Sequence, residues 1–282
     1  MTAYLDSLGQ CRAELDAINV YPVADSDTGT NLLHTQEAVE RALVSLAPGA
    51  DRDAVVDAIA NASLRGARGN SGVVLSQMLR GIGAGDGSDV AAALDAGAAA
   101  VAHAFAKPVE GTAVTVTRDA AAAARGRAAS GADPVGVIDA ALAAAEASLA
   151  RTTELLPELR RAGVVDAGAK GIVLLLRALA ASLAGRPMPD EPGLRGLLAD
   201  VDSRTGGHRY EVQYLIEAAD GTAAELRQAI DALGDSVAVV EHSGLVRVHA
   251  HTDRPEAVIA AGARWATPRE VSVAPLDGED AT

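Results

Sequence analysis

Asn19-Val20-Tyr21-Pro22-Val23-Ala24-Asp25-Ser26-Asp27-Thr28-Gly29-Thr30-Asn31 is the stretch around which the chain is organised. An apolar, proline-containing run leads into two carboxylates two residues apart, then a glycine between threonines, then residues with helical character. Asp25 and Asp27 can both point at one hard cation if the backbone between them turns, because oxygen ligands suit Mg²⁺ or Ca²⁺. Gly29 offers a bend. Thr28, Thr30 and Asn31 stand at a helix start, where free backbone N–H groups favour an anion such as phosphate. An isolated Asp-x-Asp is more often a turn and an N-cap, so the rest of the chain has to decide.

Working outward, Tyr4 to Ile18 carries apolar residues at helical spacing and delivers the chain to this loop. Leu32 to Leu46 and Asp53 to Arg65 read as two further helices, with Asp51, Asp53 and Asp57 as a solvated helix start. Gly66-Ala67-Arg68-Gly69-Asn70-Ser71-Gly72 then opens the apolar run Val73 to Leu79. Such a turn aims N–H groups at phosphate oxygens, or is simply tight. It is not a P-loop, since the Gly-Lys-Ser/Thr ending is missing. Helices are expected over Val90 to Ala106, Ala113 to Ala124, Pro134 to Arg151, Thr152 to Arg161 and Ile172 to Leu183. The small side chains of the first allow close helix approach. Glu110-Gly111-Thr112 and Val165-Asp166-Ala167-Gly168 supply two more polar turns ahead of helices. Four such turns come together if an all-helical domain gathers its loops at one end.

Turn formers crowd Gly185 to Gly207, with a short helical piece at Leu194 to Leu198, and a domain boundary is placed there. The period then changes. Strands at Tyr210 to Ala218, Ser236 to Glu241, Leu245 to His251 and Val271 to Val273 alternate with helices at Thr222 to Leu233 and Pro255 to Arg264. This β-α-β-β-α-β order suggests a sheet with helices on one face. The division is a helical domain over 1–185, a linker over 186–207, an α+β domain over 208–276 and an acidic tail over 277–282.

The 282 residues are 49% apolar but include only one Trp, one Phe and four Tyr, so the core is built from Ala, Val and Leu. A formal charge of −14 argues against a nucleic-acid or anionic-membrane surface. A single cysteine, Cys11, fits a reducing compartment. No signal peptide is visible and the longest apolar helix is too short to span a bilayer, so a cytoplasmic protein is expected. The sequence leaves a homodimer open.

The Asp25 stretch, Gly66 to Gln77, Glu110-Gly111-Thr112, Val165 to Gly171, Tyr210 to Tyr214 and Val248-His249-Ala250-His251-Thr252-Asp253 occur in one order. Together they resemble the nucleotide-binding and middle domains of the bacterial fatty acid kinase ATP-binding subunit. The first domain also resembles the dihydroxyacetone kinase L-subunit. The resemblance covers nearly the whole chain. It implies an α-helical barrel of eight antiparallel helices, with ATP or ADP held through Mg²⁺ by loops at one end, followed by the small α+β domain. By position, Asp25 and Asp27 would be catalytic Mg²⁺ ligands. Thr30, Asn31, Asn70, Ser71 and Gly72 would contact phosphates, and Thr112, Asp166 and Gly168 would line the rest of the site. Two departures stand out. Ser26 replaces the usual glycine between the aspartates. Asn19 stands nearest to a further aspartate of the dihydroxyacetone kinases, as a weaker ligand or a loop-capping amide.

His249 and His251 alternate on a strand, so their imidazoles share a face suited to zinc if a third ligand exists. The resemblance implies a cysteine partner on the first strand, and the matching residue here is Glu211. The three could instead be hydrogen-bonded strand residues. Water or Asp253 could complete a zinc set. His34, His103, His208 and His242 lack a spacing partner and read as structural or exposed, and Arg68 as a phosphate contact or a solvated loop residue. The activity implied is phosphoryl transfer from ATP to a fatty acid presented by a carrier protein. The family's ATP-binding chain has a further C-terminal carrier-docking domain that is absent here, so the chain could be inactive alone. The rival readings are a nucleotide-binding regulatory module and a dihydroxyacetone kinase-type L-subunit.

Overall fold

The computed structural model describes residues 1–85, 87–189 and 207–276. The packing of the first part follows from its composition. With Ala, Val and Leu as the main core residues, helices can approach closely, and they do: a Cβ added to Gly81 would lie 2.4 Å from the Gly97 Cα. The helices are α1 (Thr2–Ala17), α2 (Thr28–Val44), α3 (Arg52–Gly66), α4 (Gly69–Gly83), α5 (Val90–Ala104), α6 (Ala113–Ala129), α7 (Pro134–Leu155), α8 (Pro157–Ala162) and α9 (Ala167–Leu183). Each long helix packs on the next, and α9 returns to α1. Tyr4, Leu8, Leu32, Leu75, Met78, Val116, Ile138 and Ile172 are buried at the centre.

Several starts differ from expectation. α2, α4 and α9 begin at Thr28, Gly69 and Ala167, ahead of the apolar runs at Leu32, Val73 and Ile172. The expected helix over Thr152 to Arg161 is divided, because α7 continues to Leu155 and Pro157 opens the short α8. Among the described residues there are therefore eight long helices and one short one before the sheet. Asp51 N-caps α3 by accepting from Ala54 N at 2.9 Å.

The second part contains β1 (Tyr210–Glu217), α10 (Thr222–Asp231), β2 (Asp235–His242), β3 (Leu245–Thr252), α11 (Pro255–Ala263) and β4 (Arg269–Pro275). The strands form one antiparallel sheet in the order β2-β3-β1-β4. Alternation divides its side chains between two faces. Val212, Tyr214, Ile216, Val239, Val246 and Val248 pack under Leu226 and Ile230 of α10 and Val258 of α11. On the other face Leu215, Ala238, Val240 and Leu245 meet Leu64, Ala67, Val73 and Ala104 of the helical part. A backbone bond from Ala106 N to Val237 O at 3.1 Å joins the two. The expected helical piece at 194–198, most of the linker and the tail at 277–282 lie outside the described residues.

Candidate functional site

The Asp25 loop is held from below by Asn19, which is 5% exposed. Its Nδ2 donates to Asp25 Oδ1, and its Oδ1 accepts from Thr28 Oγ1 at 2.9 Å. The amide that was a candidate ligand thus ties the loop to the first turn of α2. The left-handed residue of the loop is Ser26, with φ 55, in a region that glycine enters more easily. Gly29 answers a different need, since a Cβ there would lie 2.3 Å from Arg12 O.

Asp25 and Asp27 line a cavity of about 410 Å³ between the helical part and the sheet. The first turns of four helices reach it: Thr28 and Asn31 of α2, Asn70 and Ser71 of α4, Thr112 and Ala113 of α6, and Asp166 and Gly168 of α9. Thr28 Oγ1 and Ser71 Oγ are 3.1 Å apart, joining the α2 and α4 ends. Asn70 Oδ1 is buried without a hydrogen-bond partner. Helix starts carry free N–H groups and the positive end of the helix dipole, so this convergence is a place for anionic oxygens.

The carboxylates sit uneasily without a cation. Burial, then Asp27 and Glu211, push Asp25 up to about 7. Burial also raises Asp27, against a hydrogen bond from Asn31. Two oxygen-donor groups destabilised by burial and like charge fit a hard divalent cation. Asp166 is likewise raised to about 6 by burial, although it N-caps α9 through Ala169 N at 2.7 Å.

Two expected phosphate contacts face elsewhere. Thr30 gives its N–H and its hydroxyl to Asp16 of α1, each at 2.9 Å. Gly72 is a packing residue, because a Cβ there would meet Thr35 Oγ1 at 2.7 Å. Neither lines the cavity. Arg68 donates to Ala67 O at 3.0 Å and to Arg65 O at 3.3 Å.

Glu211, His249 and His251 open onto the same cavity from the sheet. The register sets Glu211 opposite His251 and Gln213 opposite His249. One ligand atom from each of the three lies within 4.8 Å of the others. Glu211 Oε2 is 3.8 Å from His249 Nδ1 and 3.9 Å from His251 Nε2. Both His249 nitrogens are buried without a hydrogen-bond partner. Burial, then Arg247, pushes this imidazole down to about 3, and burial, then His249, lowers His251 to about 4. Neutral imidazoles beside a carboxylate fit a zinc-type cation, whose ligating histidines must be neutral. Asp253 is engaged elsewhere, accepting from Arg209 N and lying 3.0 Å from His208 Nδ1. The carboxylate beside the trio is Asp235, 3.8 Å from His251 Nδ1.

Sequence reasoning passed over Asp16, Asp235 and Gln213, and it read His208, which lines the cavity, as structural or exposed. Gln213 had a usable signal, since it stands two residues from Glu211 on a strand and so shares its face.

Residues 22–181 match the family model of the DAK2 domain. The chain belongs to the DAK2 domain family. Residues 207–281 match the model of the middle domain of fatty acid kinase A-subunit-like proteins. Protein YloV of Bacillus subtilis is 35% identical over 279 residues, covering 90% of this chain and 50% of that protein. An uncharacterized protein of Staphylococcus saprophyticus is 32% identical over 277 residues, covering 89% of this chain and 49% of that one. The chain thus spans about half the length of these curated relatives. A crystal structure of the dihydroxyacetone kinase from C. freundii in complex with AMP-PNP and Mg²⁺ matches with a TM-score of 0.50 and 22% identity, covering 64% of this chain and 32% of that one. At that identity the likeness concerns the fold of this DAK2-family chain. No helix among the described residues is long and apolar enough to cross a membrane.

Proposed function

We propose that the chain is the ATP-binding part of a Mg²⁺-dependent cytoplasmic kinase that phosphorylates a carboxylate, the acceptor being a fatty acid presented by a separate carrier protein. One observation carries the reading: four helix starts and the Asp25/Asp27 pair converge on one cavity. In this reading the eight long helices form the barrel expected from the sequence. The fatty acid kinase-type match over 207–281 favours a carboxylate over dihydroxyacetone as acceptor.

The reaction forms a bond between an acceptor carboxylate oxygen and the γ-phosphorus while the bond from that phosphorus to the β–γ bridging oxygen breaks. The products are an acyl phosphate and ADP. Such transfer needs placement and charge stabilisation more than covalent help. Asp25 and Asp27 would hold Mg²⁺, which supplies neutralisation of phosphate charge. Asn31, Asn70 and Ser71 donate to phosphate oxygens, while Thr112, Asp166 and Gly168 line the remaining nucleotide surface. Asn19 orients Asp25. Glu211, His249 and His251 would hold zinc on the sheet side of the same cavity.

The test is calorimetric titration of Mg·AMP-PNP into the parent and Asp27→Ala, alongside turnover with a purified lipid-loaded carrier protein. The substitution removes Mg²⁺-dependent nucleotide affinity and leaves the helical circular dichroism intact. Undiminished binding by the variant defeats the site assignment. Phosphoryl transfer to dihydroxyacetone in place of carrier-bound fatty acid defeats the acceptor assignment.

A further inference from the structure

Gln213 is 6% exposed and bridges the two halves of the cavity. Its Oε1 accepts from the Gly69 backbone N–H at 3.4 Å and from Arg247 Nη2 at 3.1 Å. Its Nε2 donates to Glu211 Oε1. One amide therefore touches the residue that opens α4 and the carboxylate of the Glu211/His249/His251 trio.

The chemistry of the neighbours sets the orientation of this amide. Gly69 N–H and the Arg247 guanidinium are donors only, whereas an ionised Glu211 accepts only. A flipped amide would face donors with donors and an acceptor with an acceptor. Arg247, 2% exposed, is itself anchored by donating Nη1 to Arg65 O at the end of α3, 3.1 Å away. Gly69 has little freedom to follow a different partner. It has φ +57, and an added Cβ would lie 2.6 Å from Asn31 Nδ2. A shift of Gly69 is thus felt at Asn31 and at the first turn of α4, where Asn70 and Ser71 face the cavity.

We propose that Gln213 is a positioning residue that couples the α4 anion-binding turn to the Glu211/His249/His251 cation site, so that filling either site strengthens binding at the other. The inference rests on the nucleotide and metal reading above. A cation on Glu211 holds that carboxylate still, keeps the amide aligned and leaves Gly69 anchored for an incoming phosphate. Phosphate on the α4 turn has the reverse effect on Glu211. Thermodynamic linkage requires the two enhancements to be the same factor.

The experiment measures four affinities on the full chain. Mg·AMP-PNP is titrated with the zinc site filled and after chelator treatment, and Zn²⁺ is titrated against a competing chelator with and without Mg·AMP-PNP. Salt is kept at about 0.5 M throughout. The partly buried Glu211 is only weakly screened, so the parent and the variants are compared at the same salt and its direct interaction with the nucleotide charge is common to all. In the parent each ligand tightens the other by the same factor, roughly five- to tenfold. Gln213→Met keeps length and apolar bulk but has no amide. It brings the factor close to one while both ligands still bind. Gln213→Glu keeps an acceptor for Gly69 and Arg247 but sets a carboxylate against Glu211, and it also abolishes the coupling. A factor of one in the parent with both ligands bound overturns the proposal, as does parental coupling in either variant. A parent that binds no AMP-PNP or no zinc overturns the underlying reading instead, and the coupling with it.

Discussion

Asp25 and the two histidines respond to pH with opposite sign. The folded pKa of Asp25 is about 7, above the ordinary carboxylate value, so the folded state holds a proton the unfolded state lacks between about 4 and 7. Its contribution to stability is lost as pH rises through that window, and a divalent cation offsets the loss. His249 and His251 lie at about 3 and 4, below the ordinary imidazole value. Their contribution is complete above about 6.5 and is lost as pH falls below it. Mg²⁺ should therefore raise Tm at pH 8 by on the order of several °C, with a gain that fades towards pH 5. In Asp25→Asn that gain should be much reduced at every pH. An equal Mg²⁺ gain in variant and parent would remove Asp25 from the cation site. On the sheet side, protein purified without chelator should carry near-stoichiometric zinc that disappears in Glu211→Ala. Metal-free parent protein would leave the trio as ordinary strand residues.

At the scale of elements, the starts of α2, α4 and α9 are where sequence reading and structure part. Hydrophobic periodicity locates a helix by the face it buries. The first turns at Thr28, Gly69 and Ala167 carry polar and small residues towards the cavity, so the periodic signal begins one turn late. The motifs placed Asp25, Asn70, Ser71, Thr112 and Asp166 on one cavity because each lies within a few residues of a helix start. Motif position alone could not tell that Thr30 faces Asp16 or that Gly72 faces Thr35, since those directions depend on how α2 packs against α1 and α4. In the second part, alternation was enough to put His249 and His251 on one face. Glu211 came from the resemblance, because alternation in one strand does not fix which residue faces it from another. Two of the three expected phosphate residues of α4, Ser71 and Gly72, consequently call for different outcomes. Ser71→Ala should weaken Mg·AMP-PNP by roughly 1.5–3 kcal/mol, one hydrogen bond to a charged group, with Tm little changed. Gly72→Val should lower stability by about 1–3 kcal/mol through its clash with Thr35, and nucleotide affinity only as a consequence. Calorimetry and thermal melts on both variants separate the effects. Parental affinity in Ser71→Ala would take this hydroxyl out of the phosphate site.

For the molecule as a whole, the decisive feature is that the sheet is covered on both faces. α10 and α11 cover one face, and the ends of α3, α4 and α5 cover the apolar part of the other. The site needs this docking, because Glu211, His249 and His251 reach the cavity from the sheet while Asp25 and Asp27 reach it from the helices. Leu215, 2% exposed, sits in the apolar layer between them with Leu64, Ala67 and Val73. A shared dry layer makes the two parts unfold together, and the chain provides a probe for each. Far-ultraviolet circular dichroism is dominated by α1 to α9, whereas fluorescence comes from Trp265, just beyond α11 in the sheet part. In the parent the two melting curves should coincide. Leu215→Ala removes buried methyl groups at about 2–5 kcal/mol and weakens the coupling between the parts. The Trp265 transition should then precede the helical one, and Mg·AMP-PNP should bring the two closer by favouring the docked form. Separate transitions in the parent would show two independent bodies, and the cavity between them would lose its standing as one site.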